Sequence, residues 1–252
     1  MEYISPEEAQ GMPGLRLALT AGLPAPFGMS ARAIFDLKQV SYTPVLQIGG
    51  AENEDLLAWT GHRNAPIAVY EDEAPRTGWL DILQLAHRLG AGPNLIPESR
   101  SDRVNMIGWT HELIGESGWV WQMRLIMLGL GGEEQAQIAA RTNPMYRQYG
   151  YSESSKAQAV DKANATLTAF ADFALKDKSS SAYLIGNRLS ALDIYWVYFS
   201  QILKTFPHDI CPMPKGLRQA YDLSSQACGL DIPQLIERRD WVLDQHNLPL
   251  DF

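Results

Sequence analysis

The stretch Tyr183-Leu-Ile-Gly-Asn-Arg-Leu-Ser-Ala-Leu-Asp-Ile194 decides how the chain reads. Ser190 can cap a helix at its N-terminus, and Asp193, three residues on, can reach back to the Ser190 backbone amide. Leu189, just before the cap, can pack on Ile194 inside the helix. A capping box with a hydrophobic staple predicts that a helix opens here. The residues that follow, 190–203, are very apolar, as in a helix at the centre of a bundle. On physical grounds the box marks a helix start and no more, because such boxes are common.

Outward from this stretch the two halves of the chain have different periods. After it, residues 216–228 and 231–247 read as helices. Before it, 153–178 reads as a helix, and 101–130 reads as one long helix bent where Gly115 and Gly118 interrupt it. No convincing strand occurs in this half. The first ninety residues mix both periods. Leu15, Leu17 and Leu19 alternate with Arg16, Ala18 and Thr20, which is strand spacing with one apolar face. A turn-rich break at 22–28 leads into a helical pattern over 27–38, with Phe27, Ala31, Ile34 and Phe35 on one face. A second strand is predicted over 43–48, a short helix over 51–59, a third strand over 67–70 opened by Pro66, and a helix over 77–89. The helix between the first two strands is long enough for a parallel, right-handed crossover. The Gly/Pro-rich segment Gly90-Ala-Gly-Pro-Asn-Leu-Ile-Pro97 reads as a boundary.

Composition narrows the function classes. The chain has 252 residues, 46% hydrophobic and 20% charged, with a formal net charge of −8. That is ordinary for a globular protein large enough to bury a core. No Lys/Arg cluster offers the basic face of a nucleic-acid binder, and no run is long and apolar enough to span a membrane. The acidic start lacks a signal-peptide pattern. Cys211 and Cys228 fit no metal or redox spacing and read as small buried hydrophobes. A cytoplasmic protein without a disulfide framework is expected, and no metal site.

Taken in order, the motifs resemble those of the glutathione S-transferases. Tyr-Leu-x-Gly-x-x-x-Ser-x-x-Asp-Ile is similar to the motif that opens the core helix of that family's second domain. Pro26-Phe27 followed by Ala31-Arg32, and Asp36-Leu-Lys-Gln-Val-Ser-Tyr-Thr-Pro-Val45, resemble its first helix and second strand. Asn64-Ala-Pro-Ile-Ala-Val69 resembles the segment around its cis-proline, and Arg76-Thr-Gly-Trp-Leu-Asp-Ile-Leu83 lies where its third helix begins. Each motif is weak alone, and the ordered set covers most of the chain. The resemblance implies an α/β thioredoxin-like, glutathione-binding domain over 1–90, a linker over 91–99, and an all-α helical-bundle domain over 100–252.

It also implies a site. The Ala65–Pro66 bond is expected to be cis, so that Ala65 shows its N–H and C=O to the cysteinyl part of glutathione. Where the family has Glu-Ser or Gln-Ser, this chain has Thr77-Gly78. The helix amides and the Thr77 hydroxyl remain for the γ-glutamyl group. Arg76 either clamps a carboxylate or is a solvated surface residue. Arg63, more than His62, stands where the family often has a base for the glycine carboxylate. The family's activating Ser or Cys is matched by Ala25 and Gly28, which carry neither hydroxyl nor thiol. Ser30 is the candidate catalytic replacement, or only a first-turn capping residue, and a backbone amide at Gly28 can also favour a thiolate. Trp109, Trp119 and Trp121, with Met106 and Met123, read as core or dimer contacts before pocket lining.

The resemblance therefore implies a homodimeric glutathione S-transferase-like protein that binds glutathione as co-substrate and conjugates or transforms a small apolar electrophile. A second possibility is a non-catalytic member of the same fold, acting as a binding or protein-interaction module. A third is an isomerase or lyase that uses glutathione as cofactor.

Overall fold

A computed structural model of the chain describes residues 1–176, 179 and 182–252. It divides into two compact units. One comprises Met1–Leu95 with Pro207–Met213 and Asn247–Phe252, and the other comprises Ile96–Phe206 with Pro214–His246.

The first unit runs α1 (Pro6–Ala9), β1 (Leu15–Thr20), α2 (Pro26–Leu37), β2 (Thr43–Gln47), α3 (Glu54–Thr60), β3 (Ile67–Tyr70) and α4 (Trp79–Leu89). The sheet order is β2-β1-β3. β1 is parallel to β2 and antiparallel to β3, with Ala18 opposite Val45 on one side and Ile67 on the other. These three residues join Ala9, Leu56 and Val69 in a core that excludes water. The alternation in β1 predicts one apolar face, but five of its six residues are buried. Both faces of this strand are covered, as in the parallel part of an α/β sheet. Arg16 is buried there because its guanidinium donates to the carbonyls of Met12 and Glu71 and lies over the Trp59 ring.

Single bridges extend the sheet at both edges. Ile4 pairs in parallel with Val45, and Arg76 pairs antiparallel with Ala68 through two hydrogen bonds of 2.9 Å. The segment after α4 is tied down. Lys38 Nζ donates to the carbonyls of Gly92 and Pro93 at 2.8 and 3.1 Å. A Cβ at Gly92 would stand 1.9 Å from the Leu37 carbonyl oxygen, so only glycine permits this approach.

The second unit is helical throughout its described residues: α5 (Arg100–Ile114), α6 (Trp119–Leu128), α7 (Glu133–Thr142), α8 (Pro144–Gln148), α9 (Glu153–Leu175), α10 (Ala191–Phe199) with a 3-10 turn Ser200–Ile202, α11 (Lys215–Cys228) and α12 (Pro233–Gln245). The expected long helix over 101–130 is two helices, not one bent helix. Ser117 takes a left-handed φ of 65°, and a Cβ at Gly118 would lie 2.6 Å from the Glu112 carbonyl. The chain turns tightly between α5 and α6 instead of continuing. The expected end of the preceding-to-last long helix at Lys178 lies outside the described residues; α9 is described to Leu175.

Every residue of α10 is buried. Trp196 packs on Trp119 and Phe170 with ring centroids 6.0 and 5.2 Å apart, and its indole N–H donates to the Leu235 carbonyl. At the head of α10 the buried Asp193 carboxylate accepts from the amides of Leu184 (2.7 Å) and Ser190 (2.8 Å) and from the Ser190 hydroxyl (2.6 Å). Met106, Trp119 and Met123 are core residues of this unit. Among the described residues no helix is long and apolar enough to cross a membrane.

Candidate functional site

The first unit contains a small, partly open pocket at the amino end of α2. Leu19 and Thr20 at the end of β1, Leu23 in the following turn, and Ala25, Gly28 and Met29 of α2 form its walls. Ala25 is the N-cap of α2 and supplies no side-chain hydrogen bond. Pro26 occupies the first helical position, where its missing N–H costs nothing. The helix therefore meets the pocket with main-chain donors and with no hydroxyl or thiol. A Cβ at Gly28 would sit 3.4 Å from Leu19, an ordinary contact, so the lack of a side chain there is not forced by packing.

Arg32, two turns into α2, is a buried cation of this pocket. Its Nη1 donates to the Asp251 carbonyl at 2.7 Å and lies 3.0 Å from the Asp251 carboxylate. Its Nε lies 3.5 Å from Asp36. Met1, Tyr3, Asp251 and Phe252 complete the lining. Burial pushes the Asp251 carboxyl up, but the Arg32 hydrogen bond and charge hold it below the usual range. Asp36 is instead raised, chiefly by burial, and burial also raises the Tyr42 phenol that donates to it.

The residues singled out from the sequence fall into three places. Arg63, Ala65 and Pro66 lie in the loop that enters β3. The Ala65–Pro66 bond is cis, Pro66 is buried and Ala65 is partly exposed. The Arg63 carbonyl is held by Gln47 and Asn53, and its guanidinium pairs with Glu52 at 2.5 Å. Arg76, Thr77 and Gly78 lie at the entry to α4. Arg76 is fixed by its bridge to Ala68 and pairs with Glu73 at 2.6 Å, a carboxylate that Arg88 also holds. Thr77 is exposed, and Gly78 is the N-cap with no side chain capping it. Asp81 in the first turn folds back over Gly78, where a Cβ would lie 2.7 Å from its carboxylate oxygen. That negative charge stands where an incoming carboxylate would approach the helix amides. Ser30 is in the third place, inside α2. It is 1% exposed, its hydroxyl donates to the Phe27 carbonyl at 3.0 Å, and it is not part of the pocket wall. Its surroundings are those of a serine bonded back to its own helix.

The architecture has known parallels. Over 92% of this chain and 87% of the other, it superposes on a Tau class glutathione S-transferase from mango with a TM-score of 0.60 at 18% identity. Over 95% and 93%, it superposes on a glutathione transferase family member from Pseudomonas fluorescens, solved with two glutathione bound, with a TM-score of 0.61 at 14% identity. The chain has the glutathione S-transferase fold. The same fold match, at a TM-score of 0.58 and 11% identity over 94% of both chains, extends to the nitrogen regulation fragment of the yeast prion protein Ure2p. No family model matches the chain, and no curated protein matches it. Within the glutathione S-transferase fold, Arg32, Asp251 and Phe252 are pocket residues that the sequence did not single out. Arg32 carried a faint signal as part of the α2 motif. Asp251 and Phe252 carried none, since a contact spanning 219 residues leaves no local pattern.

Proposed function

We propose that this protein binds glutathione in its first unit and presents the sulfur to a small apolar electrophile at the amino end of α2. The observation that carries the reading is that one compact unit holds all three places: the Ala65–Pro66 entry to β3, the uncapped start of α4 at Thr77 and Gly78, and the pocket at Ala25 and Gly28. In neighbours of this fold glutathione is bound, as in the Pseudomonas fluorescens protein. Here Ala65 would pair with the cysteinyl backbone through its own main chain. The α4 amides and the Thr77 hydroxyl would take the γ-glutamyl carboxylate. Arg63 or Arg76 would leave its Glu52 or Glu73 partner for the other carboxylate. The first-turn amides of α2 would hold the sulfur as thiolate, and Ser30 needs no part in that step. Catalysis would consist of proximity and electrostatic stabilisation.

A second reading, a non-catalytic binding or interaction module, is favoured by the N-cap of α2, where Ala25 offers no side-chain group to the sulfur. We further propose a homodimer in the cytoplasm, for which light scattering should give twice the chain's mass at micromolar concentration.

Calorimetric titration with glutathione separates the functional readings from no binding at all. Heat of binding at millimolar glutathione is expected. Asp81→Asn should tighten it about two- to fivefold, the effect of one like charge removed from a helix N-terminus. Gly78→Ser, which would approach the family pair, needs Asp81 to swing aside first. No heat at millimolar glutathione would refute the reading.

A further inference from the structure

We propose that the pocket at the amino end of α2 is a site for apolar small molecules that carry a carboxylate, and that Asn247–Phe252 is a strap competing for it from within the chain. The pocket's walls are largely apolar, with Leu19, Leu23, Met29 and Phe252 beside the hydroxyl-bearing Tyr3 and Thr20. Its buried cation is Arg32, whose side chain is only 16% exposed, and the Met1 amino group adds a second positive charge felt by Asp251. A guanidinium so placed needs anionic partners, and Asp36 on the same helix supplies one at 3.5 Å. The rest comes from Asp251, through its carboxylate at 3.0 Å and its carbonyl at 2.7 Å. Asp251 itself is 64% exposed and sits on Arg32 from the solvent side, whereas Leu248 in the same strap is buried, so it is Asp251 and Phe252, beyond that anchor, that can leave without breaking the core. A small-molecule carboxylate can give Arg32 what Asp251 gives it, and the apolar body beside that carboxylate can take the space that Phe252 closes.

The proposal deepens the functional reading, because this is the pocket assigned above to the electrophile. It narrows that ligand to an apolar acid and makes the strap the gate. The ligand's apparent affinity is then reduced by the fraction of molecules in which the strap is closed.

The acid titrations contain no glutathione. 3-Phenylpropanoate is titrated into the intact protein, D251A, F252A and R32Q, with 3-phenylpropan-1-ol as the uncharged control. Hydrogen exchange of the amides in 247–252 is followed alongside. The acid should bind D251A about three- to fivefold tighter than the parent, the gain expected when an exposed ion pair no longer holds the closed form. Exchange in the strap should speed up in the same variant and on adding the acid to the parent. R32Q should lose preference for the acid over the alcohol. Equal affinity of the parent and D251A for the acid, or unchanged strap exchange in both D251A and F252A, would overturn the proposal. If R32Q does not fold, the acid-against-alcohol comparison in D251A still decides, because a gain shared by both ligands would also overturn it. Should the acid bind D251A tighter while glutathione gives no heat with either protein, the strap stands and the glutathione reading falls.

Discussion

Removing the carboxylate at the head of α10 should cost more than removing the serine that caps it. Asp193 is 1% exposed and accepts three hydrogen bonds, two of them from the buried backbone amides of Leu184 and Ser190. Its charge is also felt by the buried Arg238 guanidinium. In Asp193→Ala both amides lose their acceptor, at about 1–3 kcal/mol each. The desolvation cost of the carboxylate itself is recovered in part, which leaves a net loss of about 3 kcal/mol. For a chain of this length that is about 6–12 °C in the thermal midpoint. Ser190→Ala removes one donor and leaves Asp193 holding both amides, so about 0.5–2 kcal/mol is expected. Asp193→Asn should fall between the two, because its NH₂ group must face one of the amide donors. Thermal melts followed by the fluorescence of the buried Trp119 and Trp196 would rank the three. A midpoint for Asp193→Ala within about 2 °C of the parent would refute the reasoning, as would a larger loss for Ser190→Ala.

Gly92→Ala should destabilise the protein by about 1–3 kcal/mol or more, because the new Cβ meets backbone at the Leu37 carbonyl and not a movable side chain. A melting temperature equal to the parent's would count against the tie between Lys38 and this segment. Both thiols should be unreactive toward an aromatic disulfide reagent in the native protein at neutral pH. Cys211 and Cys228 are buried, and burial raises the Cys228 thiol, so the reactive thiolate is scarce until the pH approaches that raised value. Two thiols titrating promptly without denaturant would contradict this.

How far the sequence could be read depended on whether a pattern was local. The box at Ser190 and Asp193 gave the buried α10 because both partners lie within one turn. The β1–α2–β2 order followed from period and spacing. The break between α5 and α6 is not legible in the sequence because glycine inside an apolar run fits either a bend or a stop. What decides it is the Glu112 carbonyl packed against Gly118. The helices α7 and α8 were not predicted. Ile138 on α7 is 59% exposed, so this segment lacks the apolar stripe that periodicity detects. Around the candidate site, short motifs pointed to Ala65, Pro66, Thr77 and Gly78. Asp81 over Gly78, the turn of Ser30 toward Phe27, and the hold of Asp251 on Arg32 are three-dimensional facts with no counterpart in spacing.

The central claim, glutathione held by the first unit, is tested most directly by soaking crystals of the protein in glutathione. The account predicts density for the peptide with its cysteinyl backbone against the main chain of Ala65, its γ-glutamyl carboxylate at Thr77 and Gly78, and its sulfur directed to Ala25 and Gly28. Crystals that stay empty there at saturating glutathione, or that bind it elsewhere on the molecule, would contradict the account.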